Sequence, residues 1–110
     1  MMLNDRIQLI SEIKRLSNLL DNQYDNELNF RNHCYLRIAY DNVVQDKWDN
    51  VIDKPFVKFV DNKQLQDVVD LLNKYSIDKN KLIIDNLKSL EFRRKHIKIN
   101  TDFQNKLFTD

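Results

Sequence analysis

The segment at residues 29–49, NFRNHCYLRIAYDNVVQDKWD, concentrates side chains that could do chemistry. Cys34 could be a nucleophile with His33 as its base, and a small enzyme would need both. Arg37 could bind an anion, and Asp41 could orient the imidazole. On a helix, however, adjacent side chains diverge by about 100°, so His33 and Cys34 would not face each other. The spacing favours a structural interpretation, with Cys34 as a small buried residue and Arg37 paired with Asp41 one turn away.

The same segment is rich in the side chains that dominate protein interfaces. Arginine, tyrosine and tryptophan are the most frequent hot-spot residues. We expect the core of a 110-residue chain to leave some of these large groups at the surface. The sequence therefore predicts a partner-binding face on this helix, made of Arg31, His33, Tyr35, Arg37, Tyr40 and Asp41.

A second candidate site is the basic run KSLEFRRKHIK, residues 88–98. Its positive charges could attract nucleic acid or another anionic partner, and Phe92 could stack on a base. The same charges would also suit the negative end of a helix dipole, which needs no partner. The basic residues of this patch are Lys88, Arg93, Arg94, Lys95 and Lys98.

Acidic residues at 41–53 raise the question of a metal site. Asp46, Asp49 and Asp53 recur at near-helical spacing, but they form no calcium-loop pattern. One cysteine and two distant histidines do not make a zinc motif. We predict no metal and no cofactor. The acidic stretch could instead pair with the basic run at 88–98, either within one chain or across a symmetric homodimer.

Helices must position these side chains, because the chain contains no glycine and one proline. Tight hairpins need residues with positive φ, and phosphate-cradling loops need glycine, so Walker and dinucleotide-binding loops are excluded. Asparagine and aspartate must then end the helices. The length suits one domain. We predict a single helical domain at 1–100 and a tail at 101–110 that is either a short docking helix or disordered.

Apolar residues recur three and four positions apart and predict an all-α fold, a compact bundle of about four main helices with short extra helical turns. The main helices are expected at 5–20, 29–50 and 61–75, with the last starting near Asp78 and burying Leu82, Ile83, Leu87 and Leu90. Asp61 and Gln64 predict a capping box. In PFVKFV we prefer a helical turn, capped by Asp53 with Pro55 in its first turn, to a strand.

The overall charge and composition limit the class of protein. A net charge of +1 gives no field that would attract nucleic acid or an acidic membrane, and a single cysteine forms no internal disulfide. No signal peptide or membrane span is evident, so we expect a cytoplasmic protein. Abundant Asn, Lys and Ile indicate an AT-rich genome.

Taken together, these features predict a small non-enzymatic protein that binds another macromolecule. The first hypothesis is a protein partner, with this chain as a regulator, adaptor or inhibitor. The alternative is a nucleic-acid-binding protein that uses the basic end of the last long helix. The third is a small enzyme centred on His33, Cys34 and Arg37.

Overall fold

The structure, a computed structural model, describes residues 3–95 and the side chains of residues 5–94. Within this range the chain forms five α-helices and one 3₁₀ turn, and the prediction of an all-α bundle is confirmed. The helices are α1 (Leu3–Gln23), α2 (Asn32–Val44), α3 (Phe56–Phe59), α4 (Asn62–Ile77) and α5 (Lys79–Lys95), and the 3₁₀ turn is Trp48–Asn50. The tail predicted at 101–110 lies outside the described residues.

Helices α1 and α4 make the most extensive contact in the described fold; its centre is apolar, and hydrogen bonds from Arg6 to Asn62 and from Gln23 to the Ser76 carbonyl lie at its two ends. The buried side chains of this contact are Ile13, Leu16 and Leu20 on α1 and Leu65, Val68, Val69 and Leu72 on α4. Burying one such side chain contributes about 1.5–3 kcal/mol, so these two stripes are the main source of core stability. The predicted capping box is confirmed: the Asp61 carboxylate accepts from the Gln64 N–H, and the Gln64 amide oxygen accepts from the Asp61 N–H.

Helix α2 is the central helix and packs against α1, α4 and α5. The prediction of one helix over 29–50 is wrong at its C-terminal end, because α2 ends at Val44. Gln45 takes a left-handed conformation with φ of 63°, and its N–H donates to the Asp41 carbonyl. The Asp41 carboxylate accepts from the backbone N–H of Trp48 at 2.9 Å, which holds the following chain back against the helix.

The predicted helical turn in PFVKFV is confirmed as α3, but its start differs from the prediction. Pro55, not Asp53, occupies the N-cap position, and the Lys54–Pro55 peptide bond is cis. Phe56 is buried, with its ring stacked on Tyr40 at a centroid distance of 3.8 Å. Trp48 packs edge-on against both rings, so an aromatic cluster joins α3 to the end of α2.

Helix α5 begins after Asp78, whose carboxylate accepts from the Lys81 N–H at 3.1 Å. Leu82 is buried as predicted, but Leu87 and Leu90 are exposed, so the predicted inward stripe is wrong for both. The polar side chains of Asp85 and Ser89 are buried in their place. Helix α5 packs mainly on α2, and α2 offers it polar groups rather than an apolar groove.

Candidate functional site

The contact between α2 and α5 is polar, and we call it the polar seam; its residues are Arg37, Asp41 and Asn42 on α2 and Asp85, Asn86, Ser89 and Arg93 on α5. Asp41 lies at its centre with no exposed surface. Its carboxylate accepts from the Ser89 hydroxyl at 2.6 Å and from Arg93 Nε and Nη2 at 2.8 and 3.2 Å. With the Trp48 N–H, this makes four hydrogen bonds, enough to compensate for the burial of a charge.

Ser89 connects Asp41 to a second arginine. Arg37 donates from Nη1 to the Ser89 hydroxyl at 2.7 Å and from Nη2 to the Asn86 amide oxygen at 2.8 Å. The Arg37–Asp41 pair expected from the sequence is therefore bridged by a hydroxyl from another helix. Burial lowers the pKa of the Arg37 guanidinium, but an arginine stays charged in a protein.

A second buried carboxylate, Asp85, closes the seam next to α4. It accepts from the Tyr75 hydroxyl at 2.6 Å, and Lys81 Nζ lies 3.1 Å from its other oxygen as an ion pair. Asn42 donates to the Asp85 backbone carbonyl at 2.9 Å. Burial, together with the bond to Asp85, raises the pKa of Tyr75. Both carboxylates of the seam thus have partners from neighbouring helices or turns.

The partner-binding face predicted on α2 is not one continuous surface. Tyr35, Tyr40 and Asp41 are buried, so a partner cannot contact them on the folded protein. The expectation that some of these large groups reach the surface holds for Arg31, whereas both tyrosines are buried because other helices surround α2. Arg31 and His33 are exposed, and Arg37 is partly exposed at the edge of α5.

The proposed enzyme site gains no further group from the described residues. His33 is exposed and Cys34 is half-buried, while Arg37 donates its hydrogen bonds to Ser89 and Asn86 on α5. His96, the other histidine of the chain, lies outside the described residues.

The basic patch predicted at 88–98 is divided by the fold. Lys88 and Arg94 are exposed, but Arg93 is partly buried and forms an ion pair with Asp41 at 2.8 Å. Asp41 and Arg93 thus join the acidic stretch to the basic run within one chain, which is one of the two arrangements that the sequence left open. The side chain of Lys95 and all of Lys98 lie outside the described residues.

The side of α5 turned away from α2 is apolar, and we call it the outer face; it consists of Ile84, Leu87 and Leu90, with Lys88, Glu91 and Arg94 around them. Ile84 is 50% exposed, Leu87 60% and Leu90 47%. Leu87 is two positions from both Asp85 and Ser89, so about 160° around the helix axis separates it from each. The polar seam therefore holds this apolar row toward solvent.

One surface groove has a volume of about 400 Å³ and lies between α2 and α4, lined by Asn42, Val43, Gln45, Asp67, Asp70 and Leu71. Both carboxylates at its rim are already engaged by their own helix: Asp67 pairs with Lys63 at 2.7 Å, and Asp70 accepts from Gln66 at 3.0 Å. The groove is shallow, and Asn42, the buried polar residue in its lining, already donates to the carbonyls of Ile38 and Asp85. It is a weaker candidate site than the outer face of α5.

Comparison with known proteins found no matching family model, curated protein or solved structure. In the described part of the chain, no three His, Cys, Asp or Glu side chains are grouped to hold a metal ion. Over the same residues, no helix has the length and apolar character needed to cross a membrane. The feature from which a function can be inferred is the outer face of α5.

Proposed function

We propose that this protein is a non-enzymatic regulator, adaptor or inhibitor that acts by binding another protein, and that the outer face of α5 is its contact surface. The observation that supports this is the row of half-exposed aliphatic side chains at Ile84, Leu87 and Leu90. Single exposed apolar side chains are common on soluble proteins, whereas a contiguous exposed patch is typical of an interaction site.

The polar seam explains why this row stays exposed. Rotating α5 to bury Ile84, Leu87 and Leu90 would gain about 1 kcal/mol for each half-exposed side chain. The same rotation would separate Asp41 from Arg93, and breaking a buried ion pair costs about 3–5 kcal/mol. Asp85 would lose the hydrogen bond from the Tyr75 hydroxyl of α4 as well. The cost exceeds the gain, so the seam fixes which side of the helix a partner meets.

Other exposed apolar side chains of the described residues are more scattered. Ile7 and Leu19 are both on α1, but they are separated by twelve positions. The others lie on separate elements: Val51 follows the 3₁₀ turn, Phe59 ends α3, and Ile77, which is 80% exposed, ends α4. None of these elements carries three such side chains in a row. Helix α5 is therefore the best-supported docking element.

Part of the face predicted on α2 adjoins this surface. Arg37 is partly exposed and contacts Asn86, which lies one position from Leu87. Its guanidinium is held by two hydrogen bonds, so a partner would meet a pre-positioned charge at the edge of the apolar row. We therefore include Arg37 in the proposed interface, in addition to its structural contacts with Ser89 and Asn86.

Affinity capture from lysate, with and without nuclease, tests the proposal when it compares variants. Leu87→Asp places a charge in the middle of the row, and Ile7→Asp is the matched control, because Ile7 is 57% exposed on another helix. We expect the wild type and Ile7→Asp to retain the same proteins after nuclease treatment, and Leu87→Asp to retain at least ten times less. Circular dichroism would verify that all three are folded.

Two results would contradict the proposal. Equal retention by Leu87→Asp and the wild type would remove the outer face from the interface. Retention that disappears with nuclease would favour the nucleic-acid alternative, with Lys88 and Arg94 as the exposed phosphate contacts.

A further inference from the structure

The outer face has the shape that a helix accepts. Ile84, Leu87 and Leu90 are spaced three apart and extend about 9 Å along the axis. Rows of residues three apart are one of the two kinds of ridge by which helices pack into each other's grooves. A partner helix of two or three turns would cover the whole row. An extended strand would find no free backbone edge in a helix to pair with.

The charge around the row is predominantly positive. Helix α5 carries six basic and two acidic residues, and one of the acidic residues, Asp85, is buried in the seam. Arg93 and Lys81 are matched by the buried carboxylates Asp41 and Asp85. Lys88 is exposed at one edge of the row, and Arg94 is exposed beyond its C-terminal end. Glu91 is the exposed carboxylate of α5 near them, so the positive charges outnumber the negative one.

We infer that the segment that docks on the outer face is an acidic amphipathic helix, with an aliphatic stripe and Asp or Glu beside it. This inference rests on the proposed function and adds the chemistry of the partner. The stripe would cover Leu87 and its neighbours, and the carboxylates would lie near Lys88 and Arg94. Such complementarity sets orientation and association rate and also adds a salt-screened contribution to affinity, so binding should weaken as salt rises.

Other occupants fit the observations less well. A second copy of α5 in parallel would place Lys88 and Arg94 opposite the same residues, and an antiparallel copy centred on Leu87 would place Arg94 opposite Asn80. Neither arrangement supplies a counter-charge. An anionic bilayer would match the lysine and arginine, but Glu91 lies about 40° from the centre of the row and would have to enter the headgroup layer, whereas a partner helix can place an uncharged residue opposite it.

Fluorescence anisotropy with designed helical peptides tests the inference on the full chain. The probes share one leucine stripe and differ only in flanking residues, which are Glu in one peptide and Lys in the other. We expect the Glu peptide to bind at least ten times more tightly than the Lys peptide at low salt, and this preference to shrink at high salt. The double variant Lys88→Glu/Arg94→Glu should reverse the preference, whereas Leu87→Asp should abolish binding of both peptides.

Ile7→Asp serves as the control and should bind like the wild type. Equal binding of the two peptides, or no binding of either, would overturn the inference. So would a Leu87-dependent dimer in sedimentation velocity, or Leu87-dependent binding to vesicles rich in phosphatidylserine. If lysate capture depends on Leu87 while the Glu peptide fails, the proposed function stands and this inference falls. If neither depends on Leu87, both fall.

Discussion

The α1–α4 contact and the polar seam are both fully buried at their centres, yet they are built from opposite chemistry. Leu16, Leu65 and Leu72 fill the first, whereas Asp41, Asp85 and Ser89 fill the second. Apolar packing at the centre of the α1–α4 contact stabilises without strong directionality, and hydrogen bonds from Arg6 to Asn62 and from Gln23 to the Ser76 carbonyl add direction only at its ends. A buried hydrogen-bonded network is costly unless every group is satisfied, so the seam permits one orientation of α5.

The difference between the two contacts shows that the buried side of a helix need not be its apolar side. In α4 the buried face is the apolar face, and its opposite face is solvated. In α5 the buried face carries Asp85 and Ser89 beside Leu82, and an apolar row is left to solvent. An ordinary bundle helix gains stability from its apolar residues, whereas α5 leaves some of them exposed, and the proposed interface rests on that exposure.

Raising the pH is expected to give the largest loss of stability, because it ionises tyrosines that are buried in the core. All four tyrosines of the chain, Tyr24, Tyr35, Tyr40 and Tyr75, are buried. Burial raises the pKa of Tyr35 and of Tyr40 to about 12, and it also raises that of Tyr24 and Tyr75. An unfolded tyrosine ionises near pH 10. Raised folded pKa values therefore contribute stability below about pH 10 that is lost as the pH rises toward 12.

We expect the protein to unfold cooperatively in that window, with phenolate absorbance and loss of helical circular dichroism following one curve. A rise of absorbance centred near pH 10, with full helix content retained, would show that the tyrosines are accessible and would contradict the described core.

Removal of the central carboxylate should give the next largest effect. Asp41→Ala leaves Arg93, Ser89 and the Trp48 N–H without their acceptor, and breaking a buried pair costs about 3–5 kcal/mol of unfolding free energy. Urea unfolding measures this loss. Asp53→Ala is the control, because Asp53 is exposed, and it should change stability by no more than about 0.5 kcal/mol. Equal midpoints for the two variants would show that the seam is not a stabilising contact.

A smaller effect is expected when Arg37 is replaced by lysine. The charge remains, but a lysine cannot reach Ser89 and Asn86 at once with the fork of a guanidinium. We expect a loss of about 1–2 kcal/mol, since two charge-assisted hydrogen bonds are weakened and not abolished. Arg31→Lys, at an exposed position, is the control. An unchanged urea midpoint for Arg37→Lys would assign Arg37 to the binding surface alone.

The sequence predicts well those helices whose buried face is apolar. The stripe and capping box of α4 follow directly from residue spacing, and so does the existence of α1. The end of α2 does not follow, because it depends on the tertiary hydrogen bond between Asp41 and the Trp48 N–H. Helical periodicity alone continues through Trp48 and extends the predicted helix too far.

The orientation of α5 could not be read from hydropathy, since polar residues at helical spacing normally indicate a solvated face. A weaker signal was present: Asp85, Ser89 and Arg93 recur every four positions, as do Arg37 and Asp41 on α2. Two polar rows of equal spacing can interdigitate across a helix pair. Only the fold shows that these rows meet. Because their contact leaves the apolar side of α5 exposed, the candidate site moves from α2 to the outer face of α5.

The most direct test of this account compares the unfolding free energies of Leu87→Ser and Ser89→Leu, two changes two positions apart on one helix. Leu87 faces solvent, so Leu87→Ser should change stability by no more than about 0.5 kcal/mol. Ser89→Leu forces a larger side chain into the seam and removes the hydroxyl between Arg37 and Asp41, which should cost about 3 kcal/mol. The opposite ranking would mean that α5 packs through its leucines, and it would contradict both the polar seam and the exposed outer face.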